Sequence, residues 1–267
     1  MSQLSENALL KAPWLPSDLG SLRLWLDGVD VNANSTKTND GATVSNWQDK
    51  SGFGNNANIS PTGTRLYNLQ HGYVGFGPSG NARLEVANAV GINLNPVSRF
   101  WAFVFRTNND IATLRAVYEQ GGGTNAFACY TDFDGNCYIG YSNGGAAQYF
   151  ASFPIQPNQD YIATFNFDET TQHRASLNGV VQTGVNGTAL SQHTGDISVG
   201  AFGGNVRLHD GSSTNTSDTQ DRHHEVIVGD ATLSVADVQR VEGYLAWKWN
   251  MVDRLPFGHP YKGQRPL

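Results

Sequence analysis

Two short runs in this 267-residue chain hold the oxygen donors that a metal ion or a sugar hydroxyl requires. Asp132, Asp134 and Asn136 alternate across a probable turn. Asn205, His209 and Asp210 open a long polar stretch that continues through Asp218 and Asp221 to His223. Ca2+ takes six to eight oxygens from carboxylates and carbonyls, so Asp and Asn at alternate positions suit it. Asp30, Asn32 and Asn34 begin the same way, but Ser35 stands where a Ca2+ loop needs glycine and Gly41 where it needs a bidentate Glu. The plainer reading of all three runs is that Asp and Asn bond their own backbone in turns.

Catalytic patterns are missing. Glycoside hydrolysis needs two carboxylates about 5–9.5 Å apart across the scissile bond. Asp168-Glu169 and Glu225…Asp230 have the wrong spacing for one strand face, and Glu85, Glu119 and Glu242 stand alone. Gly77-Pro78-Ser79-Gly80 is one residue short of a nucleophile elbow, and His224-Glu225 lacks the second histidine of a zincin. His209, His223 and His224 have no compact zinc-ligand spacing. We therefore expect no catalytic residue and no cofactor, with Ca2+ the one ion the donors would suit. Binding, if any, falls to Asp132, Asp134, Asn136, Asn205, His209 and Asp210. Trp14, Trp101, Tyr130 and Tyr149 can stack on sugar faces, but most aromatics of a sandwich pack inside.

The elements around these residues are strands. Leu22–Asp27 alternates, with its leucines on one face and Arg23, Trp25 and Asp27 on the other. Short strands are expected at 44–49, 73–76, 83–86, 99–107, 115–120, 126–131, 137–141 and 149–153. They continue at 160–167, 173–177, 182–185, 196–202 and 223–228. Lys50 to Asn58 reads as turn. A two-residue turn at Asp134-Gly135 would set Cys137 opposite Asp132 and Cys129 opposite Gly140. The only two cysteines would then lie on opposite faces as free thiols. One helix, about 234–250, follows the last strand. Ser234 can cap it, Asp237 can bond back, and Val238, Val241, Leu245 and Trp249 share a face. Pro256 and Pro260 forbid its continuation. This gives a lead-in over residues 1–20 and one all-β domain over 21–267, a two-sheet sandwich or jelly roll closed by a helix.

A net charge of −6, with no Lys/Arg cluster, excludes a nucleic-acid surface. No stretch approaches the roughly 20 apolar residues of a membrane helix, and the N-terminus lacks the pattern of a secretory signal. The Asn-x-Ser/Thr triplets at Asn34, Asn58, Asn186 and Asn215 then read as products of composition.

Leu24-Trp25-Leu26-Asp27 and the run Val44-Ser45-Asn46-Trp47-Gln48-Asp49-Lys50-Ser51-Gly52 resemble the opening of concanavalin A-like (laminin-G-like) jelly-roll domains. The similarity is to the variety found in bacteriophage structural proteins and bacterial surface proteins. Ser176-Leu177-Asn178-Gly179 resembles a hairpin of that family. Val241-Glu242-Gly243-Tyr244-Leu245-Ala246-Trp247-Lys248-Trp249, with Leu255-Pro256-Phe257-Gly258-His259-Pro260-Tyr261, resembles its ending. The resemblance spans residues 20–262 and implies an antiparallel concanavalin A-like jelly roll. Many such domains hold Ca2+ at a loop rim, whereas laminarinase-like members carry a Glu-x-Asp-x-x-Glu run that this chain lacks. The function it implies first is a non-enzymatic virion component, capsid-decorating, tail or fibre. Such a protein would be made in the host cytoplasm, contact other virion proteins and form a symmetric homo-oligomer. The alternative is a lectin or adhesion module bound to a host-surface glycan, and a glucanase comes last.

Overall fold

A computed structural model describes residues 12–60, 65–68, 72–76, 82–88, 90–93, 98–168, 172–185, 190–191, 193–219 and 222–267. Its first strands are β1 (Leu22–Asp27), β2 (Asn46–Trp47), β3 (Ala57–Ser60), β4 (Arg65–Asn68), β5 (Tyr73–Phe76) and β6 (Arg83–Val86). After a short helix α1 (Val90–Asn93) come β7 (Ser98–Arg106), β8 (Arg115–Gly121), β9 (Ala126–Thr131), β10 (Asn136–Asn143) and β11 (Ala146–Pro154). Then follow β12 (Asp160–Asp168), β13 (Gln172–Leu177), β14 (Val180–Val185) and β15 (Ile197–Val199). The short pieces β16 (Val206–Arg207), β17 (Ser213–Thr214) and β18 (Asp218–Thr219) precede β19 (Arg222–Gly229) and the helix α2 (Val235–Lys248).

Two sheets form the sandwich. One runs β14-β13-β12-β7-β19-β5-β4, with β1 also on β19; the other runs β11-β10-β9-β8-β15-β6-β3-β2. Each principal pairing is antiparallel, and among the described residues only β18 joins its neighbour, β8, in parallel. The all-β jelly roll with one C-terminal helix is thus the observed architecture.

β7 shows how the layers follow from sequence. Its alternate residues Trp101, Phe103 and Phe105 enter the core between the sheets, whereas Phe100, Ala102 and Val104 face outward under α2. A strand covered on both faces reads as a continuous apolar run, as Phe100–Phe105 does. On the other sheet, Ala126, Ala128 and Tyr130 of β9 face outward and are covered by Phe202, Val206 and Leu208 of the long loop.

The helix docks as its pattern predicts. Ser234 Oγ accepts from Asp237 N at 3.1 Å and donates to Asp237 Oδ2 at 2.7 Å. Val241 and Leu245 have no exposed surface, and Val238 and Trp249 pack at the margin of the same cluster. The lead-in belongs to this layer too, since Trp14 sits edge-on to Tyr244 at 5.7 Å.

Several local expectations change. The hairpin tip has three residues, not two. Asp132 N donates to Asn136 O and Gly135 N to Asp132 O, both at 3.1 Å, with Gly135 at φ +75° where a side chain would be strained. The register therefore slips by one. Cys129 faces Ile139 and Cys137 faces Thr131, so both free thiols point into the core on one face, 3.9 Å apart. A one-residue slip exchanges faces by construction. Likewise a register shift between Leu22 and Leu24 sends Leu22 to the helix side with Trp25, away from Leu24 and Leu26. The strand expected at 44–49 shrinks to β2 and that at 196–202 to β15. β3 occupies part of the stretch read as turn, and β4 was unforeseen. The Gly77–Gly80 run, Asn186, Glu169, Asp221 and the first eleven residues lie outside the described residues.

Candidate functional site

The structure gathers most of the residues singled out in the sequence at one end of the second sheet. The β9–β10 tip brings Asp132, Asp134 and Asn136 beside His209 and Asp210. The His209 ring stacks on Tyr138 at 3.6 Å and 7°, with Nδ1 3.1 Å from the Tyr130 hydroxyl and 3.5 Å from Asp132 Oδ2. Asn205 does not join them. It lies against Gly123 in the β8–β9 turn, at the opposite end of β9 from the tip.

The tip's donors are already engaged. Asp132 Oδ1 accepts from Phe133 N (2.7 Å). Asp134 accepts from Asn136 N (3.0 Å) and the Tyr138 hydroxyl (2.6 Å), and Asp210 from Ser212 N (2.8 Å). Burial raises the Asp132 carboxyl. At Asp134 burial is outweighed by Tyr138 and Asn136, which hold it below the ordinary value. These are turn-building bonds. Among the described residues no group of three or more His, Cys, Asp or Glu side chains is placed to hold a metal ion.

The denser concentration of charge lies under α2, where sequence spacing gave no site. Lys248 Nζ reaches Asp27 Oδ1 at 2.7 Å and Glu225 Oε2 at 2.8 Å. Lys50 Nζ reaches Asp27 Oδ2 at 2.9 Å and Asp30 Oδ2 at 3.0 Å. Glu225, with no exposed surface, also accepts from Trp25 Nε1 (2.7 Å), Trp249 Nε1 (2.7 Å) and the Tyr244 hydroxyl (3.0 Å). Burial raises the Glu225 carboxyl, and Lys248 only partly offsets it. At Asp27, burial is outweighed by Lys248 and Lys50, so that carboxyl falls. Asp49 completes the base by accepting from Trp25 N, Ser51 N and Asn55 N, which explains the Gln48-Asp49-Lys50-Ser51-Gly52 run. The clue was a lysine amid Tyr244, Trp247 and Trp249. Its nitrogen sits 5.3 Å from the ring centres of Tyr244 and Trp249 and 5.8 Å from that of Trp25.

Beside this network opens a cleft of about 590 Å³. Trp14, Trp25, Tyr244 and Trp247 line it, and Lys37, Lys50, Lys248 and Arg265 supply cations. Five separate stretches build it, around Trp14, between Trp25 and Lys37, at Lys50, between Tyr244 and Lys248, and at Arg265 and Pro266. Trp14 N donates to Pro266 O, Trp247 Nε1 donates to Tyr261 O and Gln264 O, and Arg265 stacks 5.7 Å over the Trp247 ring. Asp30 shapes the facing loop by accepting from Asn34 N and Ser35 N. Of the four aromatics named from sequence, Trp14 borders this cleft; Trp101 and Tyr130 are buried and Tyr149 packs on the core.

The isolated glutamates are occupied structurally. Glu242 takes His259 Nε2 at 3.1 Å together with the hydroxyls of Thr164 and Ser176, tying the tail to the sheet. The register sets Glu119 and Glu85 on either side of Ser198, two strands and about 10 Å apart. Yet Glu119 is 1% exposed, covered by Gly203, and burial pushes its carboxyl up to about 8. Glu85 is paired with Arg83 at 2.6 Å.

No model of a known protein family matches the sequence, and no curated protein matches it. Solved structures do share its fold. A Trypanosoma rangeli sialidase in complex with sialic acid aligns with a TM-score of 0.60 at 10% identity, over 86% of this chain and 33% of that one. The binding domain of botulinum neurotoxin DC in complex with SialylT aligns with a TM-score of 0.60 at 14% identity, over 86% and 52%. A botulinum neurotoxin type C structure, whose cell entry depends on two ganglioside molecules, aligns at 0.58 and 15%, over 86% and 52%. The chain thus spans a third to a half of these proteins. At such identities the likeness is one of fold alone, a two-sheet antiparallel β-sandwich.

Proposed function

We propose that this chain is a non-catalytic carbohydrate-binding module that receives a glycan in the cleft beside α2. The cleft itself carries the reading. Its volume falls within the range of ligand pockets, and its lining combines aromatic surface with a few charged hydrogen-bonding groups. Aromatic rings cover the C–H faces of sugars, while Asp27, Lys50 and the exposed Lys37 and Arg265 stand where hydroxyls or acidic substituents would bind. The neighbours named with sialic acid and gangliosides lend support as proteins of like fold.

A glycan array followed by calorimetry tests this. Lys37→Ala and Arg265→Ala, both exposed and outside the buried network, should weaken binding at least several-fold without moving Tm. No binding to any arrayed glycan by folded protein, or steady sugar release from a bound glycan, would overturn the reading.

The end motifs favour a compatible second reading, a virion component held by other virion proteins and presenting the cleft to a host-surface glycan. Co-purification with particles tests that placement, and a protein absent from purified particles would exclude it.

A further inference from the structure

The cleft beside α2 is lined by charges of two kinds, those already paired and those left open. Lys50 holds Asp27 and Asp30, and Lys248 holds Asp27 and Glu225. Lys37 and Arg265 line the same cleft, and among the described residues neither has a carboxylate at ion-pair distance. Both are exposed. Two carboxylates and four cations thus line the space, and the buried Glu225 behind it still leaves the cations in excess. The chain as a whole carries −6, so this excess runs against its overall charge.

Neither open cation hangs from a loose end. Lys37 follows a loop in which Ala33 and Ser35 adopt left-handed φ of +50° and +62°, a region few side chains enter. The Asp30 carboxylate fixes that loop by accepting from Asn34 N at 3.0 Å and Ser35 N at 3.1 Å. Arg265 is tied on both sides. Gln264 O accepts from Trp247 Nε1 at 3.0 Å, and Pro266 O accepts from Trp14 N at 3.3 Å. Its guanidinium lies 5.7 Å over the Trp247 ring, which restrains the side chain and leaves its N–H donors open. Groups held in place before a ligand arrives lose little freedom when they bind it.

We propose that the ligand of this cleft is an acidic glycan, whose sugar carboxylate is taken by Arg265 and Lys37 while the ring that carries it lies on the aromatic wall. This rests on the glycan reading above and narrows it to one charge class. The guanidinium fork matches the two oxygens of a carboxylate, and the lysine adds a point charge. A neutral sugar would leave both cations idle, and a cationic one would meet like charge. Trp247 lies under Arg265 and Trp14 is bonded to the neighbouring Pro266, so a ring next to the acid group meets an aromatic face. Lys50 and Lys248 stay with their carboxylates, and the two outer cations therefore set the preference.

Matched probes separate this inference from the broader reading. Sialyllactose beside lactose, and a hexuronate oligosaccharide beside its carboxyl-reduced form, are titrated by calorimetry against the full chain. At least one acidic probe should bind about tenfold or more tightly than its neutral partner, as charge-assisted hydrogen bonds imply. Added NaCl should shrink that preference. Lys37→Gln and Arg265→Gln keep a hydrogen-bonding amide and remove the charge. Each should weaken the acidic probe about fivefold or more and leave its neutral partner unchanged. If one variant folds poorly, the other carries the test. Equal binding of acidic and neutral partners, or a preference retained in both Gln variants, would overturn the acidic assignment and leave a neutral-glycan cleft. Absence of binding to every probe would overturn it as well, and the glycan array would then decide the broader reading alone.

Discussion

At the hairpin tip, the carboxylates of Asp132 and Asp134 are bonded from one, two and four residues away, by Phe133, Asn136 and Tyr138. Under α2, Glu225 is bonded by Trp25 from 200 residues away, and Asp27 by Lys248 from 221. Both regions are acidic and aromatic. In the first, the polar groups shape a turn, which leaves its carboxylates committed to nearby backbone and to the Tyr138 hydroxyl. In the second, they clamp distant segments together, and the seam between those segments is an open cleft. Local polar patterns therefore advertise turns, while a binding surface here is a product of assembly.

The largest expected effect that sharpens this contrast is at Lys248. Lys248→Met keeps most of the aliphatic stem but leaves Glu225 buried without its ammonium, which should cost about 3–5 kcal/mol in urea unfolding. A loss below about 1 kcal/mol would mean that the network does not hold the helix.

Acid titration separates the regions by sign. Asp27 has a lowered carboxyl, so its ionised form stabilises the fold above the ordinary value of 3.8, and that contribution is lost as pH falls below it. Asp132 has a raised carboxyl, so the fold favours its neutral form below 3.8 and loses that contribution as pH rises through the folded value. Asp27→Asn should lower Tm at pH 7, with a deficit that shrinks toward pH 3. Asp132→Asn should hold or raise Tm at pH 7, with any gain fading toward pH 3. Parallel pH trends for the two variants would contradict the assigned environments.

Smaller changes belong to the tip. Asp134→Ala removes two turn bonds at an exposed site and should cost on the order of 1 kcal/mol. Smallest of all, Ca2+ against chelator should leave Tm unchanged, because the tip's carboxylates already serve backbone and tyrosine donors. A Ca2+-dependent rise in Tm would restore the tip as a metal site.

The strands and the capped helix were legible because their signals are local: alternation, Gly-bearing turns, Ser234 with Asp237. The tip was legible for the same reason, but its register was not. Asp134-Gly135 fits both a two-residue and a three-residue turn, and one residue decides which way Cys129 points. Leu22 was misplaced by a bulge that alternation alone cannot show. The cleft was illegible because Trp14, Asp27, Lys50 and Lys248 meet only after the two ends of the chain do. Asn205 was grouped with His209 by nearness in sequence, yet the segment between them runs away from the tip and sets Asn205 against the β8–β9 turn.

The pairing of β1 with β19 also sets a schedule. Leu24 and Leu26 have no exposed surface in the finished fold, and the partner strand of β1 begins at Arg222. A ribosome adding about 5–20 residues per second would emit β1 roughly 10–40 s before that partner exists. Until then the first strand is an apolar segment in waiting, and its closure is a contact of very long sequence separation, the kind that slows folding most. The chain is therefore exposed to premature association during synthesis, and its completion hangs on the last strand and helix to emerge.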